Sequence, residues 1–400
     1  MTSVKVKFRP ASSAEKQGSV YYQITCKGKV RRITSGHKLF QPEWDTRLSE
    51  IKTPLVSPRL PALNDIRNDI GGDISRLHRI IKRLEASGVS YSAEDVIAEF
   101  CRHIHQLSLF HYMELLISSL IRLNKIRTAE TYRAALNSFR QFRKHKDILL
   151  DVISAEIMEE YEAYLRMKGN IPNTTSFYMR ILRAVYNRAV SEERIDDRHP
   201  FRRVYTGVDK TIKRALPVDA IKRIKNLNLS ASPKDDFARD MFMMSFYLRG
   251  MSLIDMAHLK KADLYDKYIY YRRRKTGQPL QIEWRKEMQD ILDKYPHNSS
   301  DYLLPIIPED SPDPHRAYRN AGNRINRRLK HIAAKAGTPL PLTLYCARHS
   351  WASAAKALGI PIVVISEAMG HDSESTTQIY LASLENSAID NANSIIISSL

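Results

Sequence analysis

Residues 342–380 read LTLYCARHSWASAAKALGIPIVVISEAMGHDSESTTQIY. The segment sets one cation, Arg348, in an apolar run, follows it with Gly370-His371, and ends on Tyr380, nine residues beyond the histidine. These side chains suit phosphate chemistry. A guanidinium holds two phosphate oxygens in a planar fork, an imidazole gives or takes a proton near neutral pH, and a tyrosine hydroxyl is a nucleophile. What the rest of the chain must supply is a phosphodiester to attack.

Its charge is suited to that. Lys and Arg number 63 against 44 Asp and Glu, a formal net charge of +19 over 400 residues, and a field of that sign draws a polyanion such as nucleic acid. The basic residues recur from the first strand to Arg328, which points to a partner touching several domains rather than to one basic tail. Hydrophobic residues make up 43%, enough for ordinary cores, and 400 residues exceed one core of usual size, so two or three domains are expected. Cys26, Cys101 and Cys346 form no CxxC pair, which removes a cysteine zinc or redox motif and fits a reducing cytoplasm. The N-terminal MTSVKVKFRP lacks the apolar stretch of a signal peptide, and no run approaches the ~18 apolar residues of a membrane span.

Residues 1–58 are expected to form a small β unit. In SVYYQITCKGKVRRITSG, Val20, Tyr22, Ile24 and Cys26 alternate onto one face, and the chain turns at Lys27-Gly28 and returns from Val30 to Thr34, with KVKFR near the N-terminus as a third strand. Lys27, Lys29, Arg31 and Arg32 then read equally as a solvated sheet surface or as a DNA contact. Residues 59–105 are a helical connector: Ile66, Ile70, Ile74, Leu77, Ile81 and Leu84 recur at three and four residues, Gly88 is a stop, and a shorter helix follows. Residues 106–205 carry four amphipathic helices, Phe110–Leu123, Thr128–His145, Ser154–Lys168 and Thr174–Glu193. The second bears Arg133, Arg140, Arg143 and Lys144, and the fourth Arg180, Arg183 and Arg188. Such runs are most often a solvated helix face, and they also suit the walls of a groove around a duplex. Pro200, Gly207 and Pro217 punctuate an aperiodic linker, which sets a boundary near residue 210. The fold class expected is mainly α with small β parts.

Within residues 206–400 a hairpin is predicted, with Tyr268–Arg273 and Pro279–Trp284 as strands and Lys275-Thr276-Gly277-Gln278 as the turn. Lys275 at its tip can reach a scissile phosphate, with Arg273 beside it as a DNA contact. Asp240 and Asp255 read as local salt-bridge or capping partners, and His349 and Trp351 as packing residues.

Arg348, Gly370-His371 and Tyr380 together resemble the C-terminal signature of the tyrosine recombinases, the phage-integrase family. There the motif runs His-x-x-Arg-His, then Gly-His about two dozen residues later, then the nucleophilic tyrosine; here Arg348 to His371 is 23 residues and His371 to Tyr380 is nine. Lys275 matches the family's hairpin lysine. The layout of arm-type β domain, helical core-binding (SAM-like) domain and catalytic domain is similar to that of integrases with an arm-binding domain, and LRGMSLIDMAHLK with Tyr345 is similar to Bacteroides-type integrases of mobile elements. Two positions depart from the pattern. Ser252 stands where Gly-x-Arg-x-x-Glu-Leu has its arginine, with Arg249 as the candidate replacement about one turn away if the helix continues, and Tyr345 stands at the first histidine.

The resemblance implies a site-specific recombinase that integrates, excises or inverts DNA. Tyr380 would form a 3′-phosphotyrosyl link and release a 5′-hydroxyl, Arg348 and Arg249 would stabilise the transition state, Lys275 would protonate the leaving oxygen, and His371 would bond the phosphate or assist the tyrosine. No metal or nucleotide cofactor is called for. The partners implied are double-stranded DNA and a homotetramer on two sites, with room for an accessory DNA-bending protein, in a bacterial cytoplasm at the nucleoid. The C-terminal tail would dock on a neighbouring protomer. A type IB topoisomerase and a catalytically inactive DNA-binding protein are the alternatives on this fold.

Overall fold

The alternation at Val20, Tyr22, Ile24 and Cys26 becomes a strand in which every second side chain is buried. The computed structural model describes residues 2–13, 15–53, 57–209, 215–296, 298–338, 341–371, 373–382 and 396–398, with the side chains of Thr376, Ile379, Tyr380 and Ala382 outside that description. The chain divides into two compact units, Met1–Asp209 and Lys210–Leu400.

The first unit opens with an antiparallel sheet of β1 (Ser3–Arg9), β2 (Gly18–Cys26) and β3 (Lys29–Leu39), with β2 central. Lys27 and Gly28 both have positive φ, 50° and 80°, the two left-handed residues of a tight hairpin whose twist matches its strands. A short ladder pairs β4 (Trp44–Asp45) with β5 (Glu50–Ile51). Helices α1 (Leu60–Ala86) and α2 (Ala93–Leu107) follow, the second started by Ser92 and Asp95 in a reciprocal capping box. Their apolar stripes, among them Leu63, Leu77, Val96 and Phe100, share one core with the buried face of β2. A polar chain runs through this packing: Tyr22 donates to Asp73 at 2.7 Å, and Arg76 donates to Asp73 at 3.2 Å and to both oxygens of Asp151 at 2.9 and 3.0 Å. Burial and Asp73 together push the Tyr22 phenol far above its ordinary value, so it is a fixed donor.

Four helices then build a second core: α3 (Leu109–Arg122), α4 (Ile126–Phe142), α5 (Ala155–Met167) and α6 (Pro172–Ser191). Phe139 and Phe142 of α4 pack on Tyr161 of α5 with ring centroids 5.0 and 5.2 Å apart, aromatic contacts that fix the helix crossing.

The second unit contains α7 (Val218–Asn226), α8 (Pro233–Tyr247), α9 (Leu253–Ala257), the antiparallel sheet β6 (Leu264–Tyr265), β7 (Tyr268–Arg272) and β8 (Pro279–Glu283), α10 (Lys286–Leu292), α11 (Pro314–Lys335), α12 (Leu344–Ala357), α13 (Ile362–Met369) and α14 (Glu374–Ala382). Met241, Phe242, Met243 and Met244 bury α8 on all sides, which makes it the helix around which the others pack. Asp240 in its middle is buried and satisfied by Lys294 at 2.5 Å and Tyr295 at 2.9 Å. A separate small core of Ala352, Ala355, Ile365, Met369 and Leu381 joins α12, α13 and α14. Among the described residues no helix is long and apolar enough to cross a membrane.

Candidate active site

Where α8 stops, the chain makes a turn that only glycine permits. The helix ends at Tyr247, and Arg249 and Gly250 follow with left-handed φ of 58° and 74°. A Cβ on Gly250 would stand 2.5 Å from the Cα of Arg348, so the absence of a side chain lets the turn lie directly on α12. The Gly250 carbonyl then accepts from Arg348 Nη1 at 3.0 Å. The helix does not continue from Arg249 to Ser252, and the expected one-turn relation between them is replaced by this tight turn.

Arg348 is buried at 5% exposure, and a buried guanidinium must find acceptors. Besides Gly250, its Nη2 donates to the Met369 carbonyl at 2.8 Å and lies 3.0 Å from His371 Nε2. A guanidinium has no acceptor, so Nε2 presents its lone pair in this contact and the ring proton belongs on Nδ1. Nδ1 in turn lies 2.7 Å from the hydroxyl of Thr377, a buried residue of α14. Gly370 provides the corner for this. It closes α13 in the left-handed region at φ 62°, with Gly370 N–H donating to Glu367 at 2.9 Å and His371 N–H to Ser366 at 3.0 Å, the paired bonds of a glycine-terminated helix. Tyr380 occupies the backbone position three residues past Thr377 on α14, close to one helical turn.

The β7–β8 hairpin stands over the same corner. Arg273 N–H donates to the Gln278 carbonyl at 2.9 Å and Gly277 N–H to the Arg273 carbonyl at 2.7 Å, which closes the tip. Lys275 projects from it, exposed and with no hydrogen bond or ion pair to the protein among the described residues. The Arg273 guanidinium donates to the Gly370 carbonyl. Asp255 holds the hairpin from the other side: one carboxylate oxygen accepts from Arg274 N–H at 2.9 Å and the other from Ser252 Oγ at 2.7 Å. Tyr271 sits among these charges. Burial, then Asp255, raises its phenol to about 12 against the opposing pull of Arg273, Arg348 and Arg249, which puts the three arginines in one electrostatic neighbourhood. Arg249 is half-buried, and its side chain makes no hydrogen bond or ion pair among the described residues. Tyr345 is more than half exposed in the first turn of α12, its ring edge-on to buried His349 at 4.8 Å.

Residues 216–387 match the model described as the phage integrase family, and residues 108–204 match that of the phage integrase SAM-like domain. The chain belongs to the tyrosine recombinase family. Among curated relatives, it is 23% identical to tyrosine recombinase XerD of Listeria monocytogenes, over 63% of this chain and 88% of that protein. It is 26% identical to tyrosine recombinase XerA of Pyrococcus furiosus, over 54% and 72%. In fold it is similar to a lambda integrase tetramer bound to a Holliday junction, with a TM-score of 0.53, 15% identity, and 92% of this chain and 96% of that chain covered. The protein is a site-specific DNA recombinase.

The recombinase's predicted DNA contacts do not share one surface. In the N-terminal sheet, Arg32 pairs in register with Gln23, whereas Arg31 pairs with Ile24 and so lies on the opposite face, where it meets Glu94 of α2 at 2.6 Å. Lys27 donates to Ser90 at 2.8 Å, and Lys29 pairs in register with Cys26. The open face instead collects Lys5, Gln23 and Arg32 in one cross-strand row, Lys7, Tyr21 and Thr34 in the next, and Arg9, Ser19 and Lys38 beyond. Lys5, Lys7 and Arg9 were legible only through a register that no turn residue announces. In the helical part, Arg140 pairs with Glu114 at 3.0 Å and stacks over Phe110, and Arg183 donates to Thr206 at 2.8 Å. Arg143 and Arg180 each keep a buried Nε without a partner among the described residues, and Lys144 is exposed in the turn after α4. Thr377, Asp255 and Tyr271 carried no motif signal. Asp255 bonds the Ser252 hydroxyl three residues back, as a local capping partner would, but its hold on the Arg274 amide is made by the fold and not by local spacing.

Proposed function

We propose that the recombinase cleaves one strand of duplex DNA with Tyr380 and conserves the bond energy in a 3′-phosphotyrosyl link. The carrying observation is the connection from buried Arg348 through His371 to Thr377, which ties a phosphate-binding cation to the helix that bears the tyrosine. The tyrosine oxygen bonds to phosphorus, the bond to the 5′ oxygen breaks, and that oxygen takes a proton from Lys275. Arg348 and Arg249 stabilise the extra negative charge of the five-coordinate transition state, Arg249 being half-buried next to the Gly250 carbonyl that Arg348 holds, its side chain without a hydrogen bond or ion pair among the described residues. The Nε2 lone pair of His371 accepts from Arg348, so His371 takes the tyrosine proton once Arg348 turns to the phosphate. Ser252 has its hydroxyl on Asp255 and takes no part, and Tyr345 donates to a phosphate oxygen.

The domain reading is an arm-type β unit at 1–58, a connector at 59–105, a core-binding helical domain at 106–205 and a catalytic domain from 206. In it, the open face of the first sheet, with Lys5, Lys7, Arg9, Arg32 and Lys38, lies against DNA. A tetramer on two duplexes is the working assembly, supported by the likeness to the lambda integrase tetramer. The relatives named above do not reach the Bacteroides-type subgroup, and nothing here assigns an accessory bending protein.

The test is trapping on a nicked duplex of the cleavage site, mapped in DNA flanking the gene. The wild-type chain leaves a covalent protein–DNA band that Tyr380→Phe abolishes while binding persists. A band that survives in Tyr380→Phe removes Tyr380 as nucleophile, and relaxation of plasmid without exchange between two sites would favour the topoisomerase.

A further inference from the structure

We propose that Arg273 is a positioning residue, a latch that holds the Lys275 tip over the turn carrying His371, rather than a direct contact to the phosphate. This rests on the reading of Lys275 as the proton donor. The Arg273 main chain closes the hairpin tip through Gln278 and Gly277, and its side chain reaches 97 residues along the chain to the Gly370 carbonyl. The contact is seated as well as bonded. A Cβ on Gly370 would lie 2.8 Å from Arg273 Cδ, 2.8 Å from Leu280 Cδ1 and 3.1 Å from Gln278 Oε1, so three inward side chains of the hairpin rest on a bare glycine. Gln278 Oε1 is itself buried there without a partner among the described residues, a sign of how closely the hairpin is pressed to the corner.

A second anchor acts one residue on, where Arg274 N–H is held by Asp255. The tip carrying Lys275 thus hangs from two fixed points, α9 on one side and the end of α13 on the other. Lys275 itself has no bond to the protein among the described residues, so its backbone position is what limits where its ammonium can go. A shift of about 1 Å in such a group costs on the order of 100-fold in rate. Gly370 serves two ends through this arrangement, since the same residue that closes α13 and aims His371 also seats the lysine hairpin.

The leaving group separates this from a role on the phosphate. When the bridging 5′ oxygen at the mapped cleavage site is replaced by sulfur, the departing thiolate needs no proton, and a variant defective only in proton delivery recovers. Arg273→Ala and Lys275→Ala are each expected to lose about 100-fold in covalent-adduct formation on the oxygen duplex and to come within a few-fold of wild type on the sulfur duplex. Arg273→Lys, which keeps one donor toward Gly370, regains most of the rate on oxygen. If Lys275→Ala recovers on sulfur while Arg273→Ala, folded by thermal melting, stays defective, Arg273 acts on the phosphate and the latch is wrong. An Arg273→Ala that cleaves the oxygen duplex at the wild-type rate also overturns it. Failure of Lys275→Ala to recover on sulfur removes Lys275 as the proton donor, and the latch falls with that reading.

Discussion

Among its described residues the recombinase has two three-stranded antiparallel sheets, and both carry cations, yet they treat them differently. In the N-terminal sheet the register sends Lys5, Lys7, Arg9, Arg32 and Lys38 to an open face, where they make no ion pair among the described residues. In the catalytic sheet the side chain of Arg273 and the amide of Arg274 are committed to Gly370 and Asp255, and Lys275 follows them, exposed at the hairpin tip. The first arrangement works through summed charge, which tolerates a side chain moving or being lost. The second works through placement, which does not.

The largest effect should come from the placed group with the most bonds. Arg348→Ala should lower cleavage by about 10³-fold or more while leaving DNA affinity within a few-fold, read as adduct formation against gel-shift binding. A matching loss of affinity would mean that Arg348 binds rather than catalyses. Gly250→Ala comes next, since its methyl meets Arg348 and its φ of 74° is strained for any side chain. Both cleavage and melting temperature should fall, and an unchanged melting temperature would show that the turn yields easily. Neutralising Lys5, Lys7 and Arg32 together to Gln should leave cleavage of a short core duplex unaltered and reduce the salt slope of arm-DNA binding by about 2.7, at ~0.9 per phosphate contact. Arg31→Gln, on the opposite face, should leave that slope as it is. Equal effects from the two would erase the distinction between the faces.

The smallest effect concerns pH. Burial holds His258 below its ordinary value, with its Nδ1 donating to the Ile254 carbonyl at 2.8 Å. The unfolded chain therefore takes up a proton before the folded one. Stability from this group is complete above the unfolded value near 6.5 and is lost as pH falls toward the lower folded value, a slope that His258→Asn should flatten in melts across pH 7 to 5.

Periodicity and spacing made much of this legible. The α1 stripe from Ile66 to Leu84, the alternation in β2 and the interval from Arg348 to His371 are local patterns, and local geometry enforces them. What stayed hidden depends on register or on long-range contact. Arg31 and Arg32 are adjacent letters on opposite faces of a strand, and only pairing with Ile24 and Gln23 tells which is which. The hold of Asp255 on Arg274 spans 19 residues and that of Arg273 on Gly370 spans 97, distances over which no spacing rule operates. The predicted helical link from Arg249 to Ser252 failed because Gly250 had to make room for Arg348.

Asp255 also bears on what position 252 can tolerate. Its carboxylate is shared between the Ser252 hydroxyl and the Arg274 amide. An arginine placed at position 252 would stand three residues from that carboxylate, compete for it, and loosen the hairpin that depends on it. Ser252→Arg is therefore not a simple gain of a catalytic cation, since it sets a new charge against the hydrogen bond that Asp255 accepts from Arg274 N–H and that seats the hairpin.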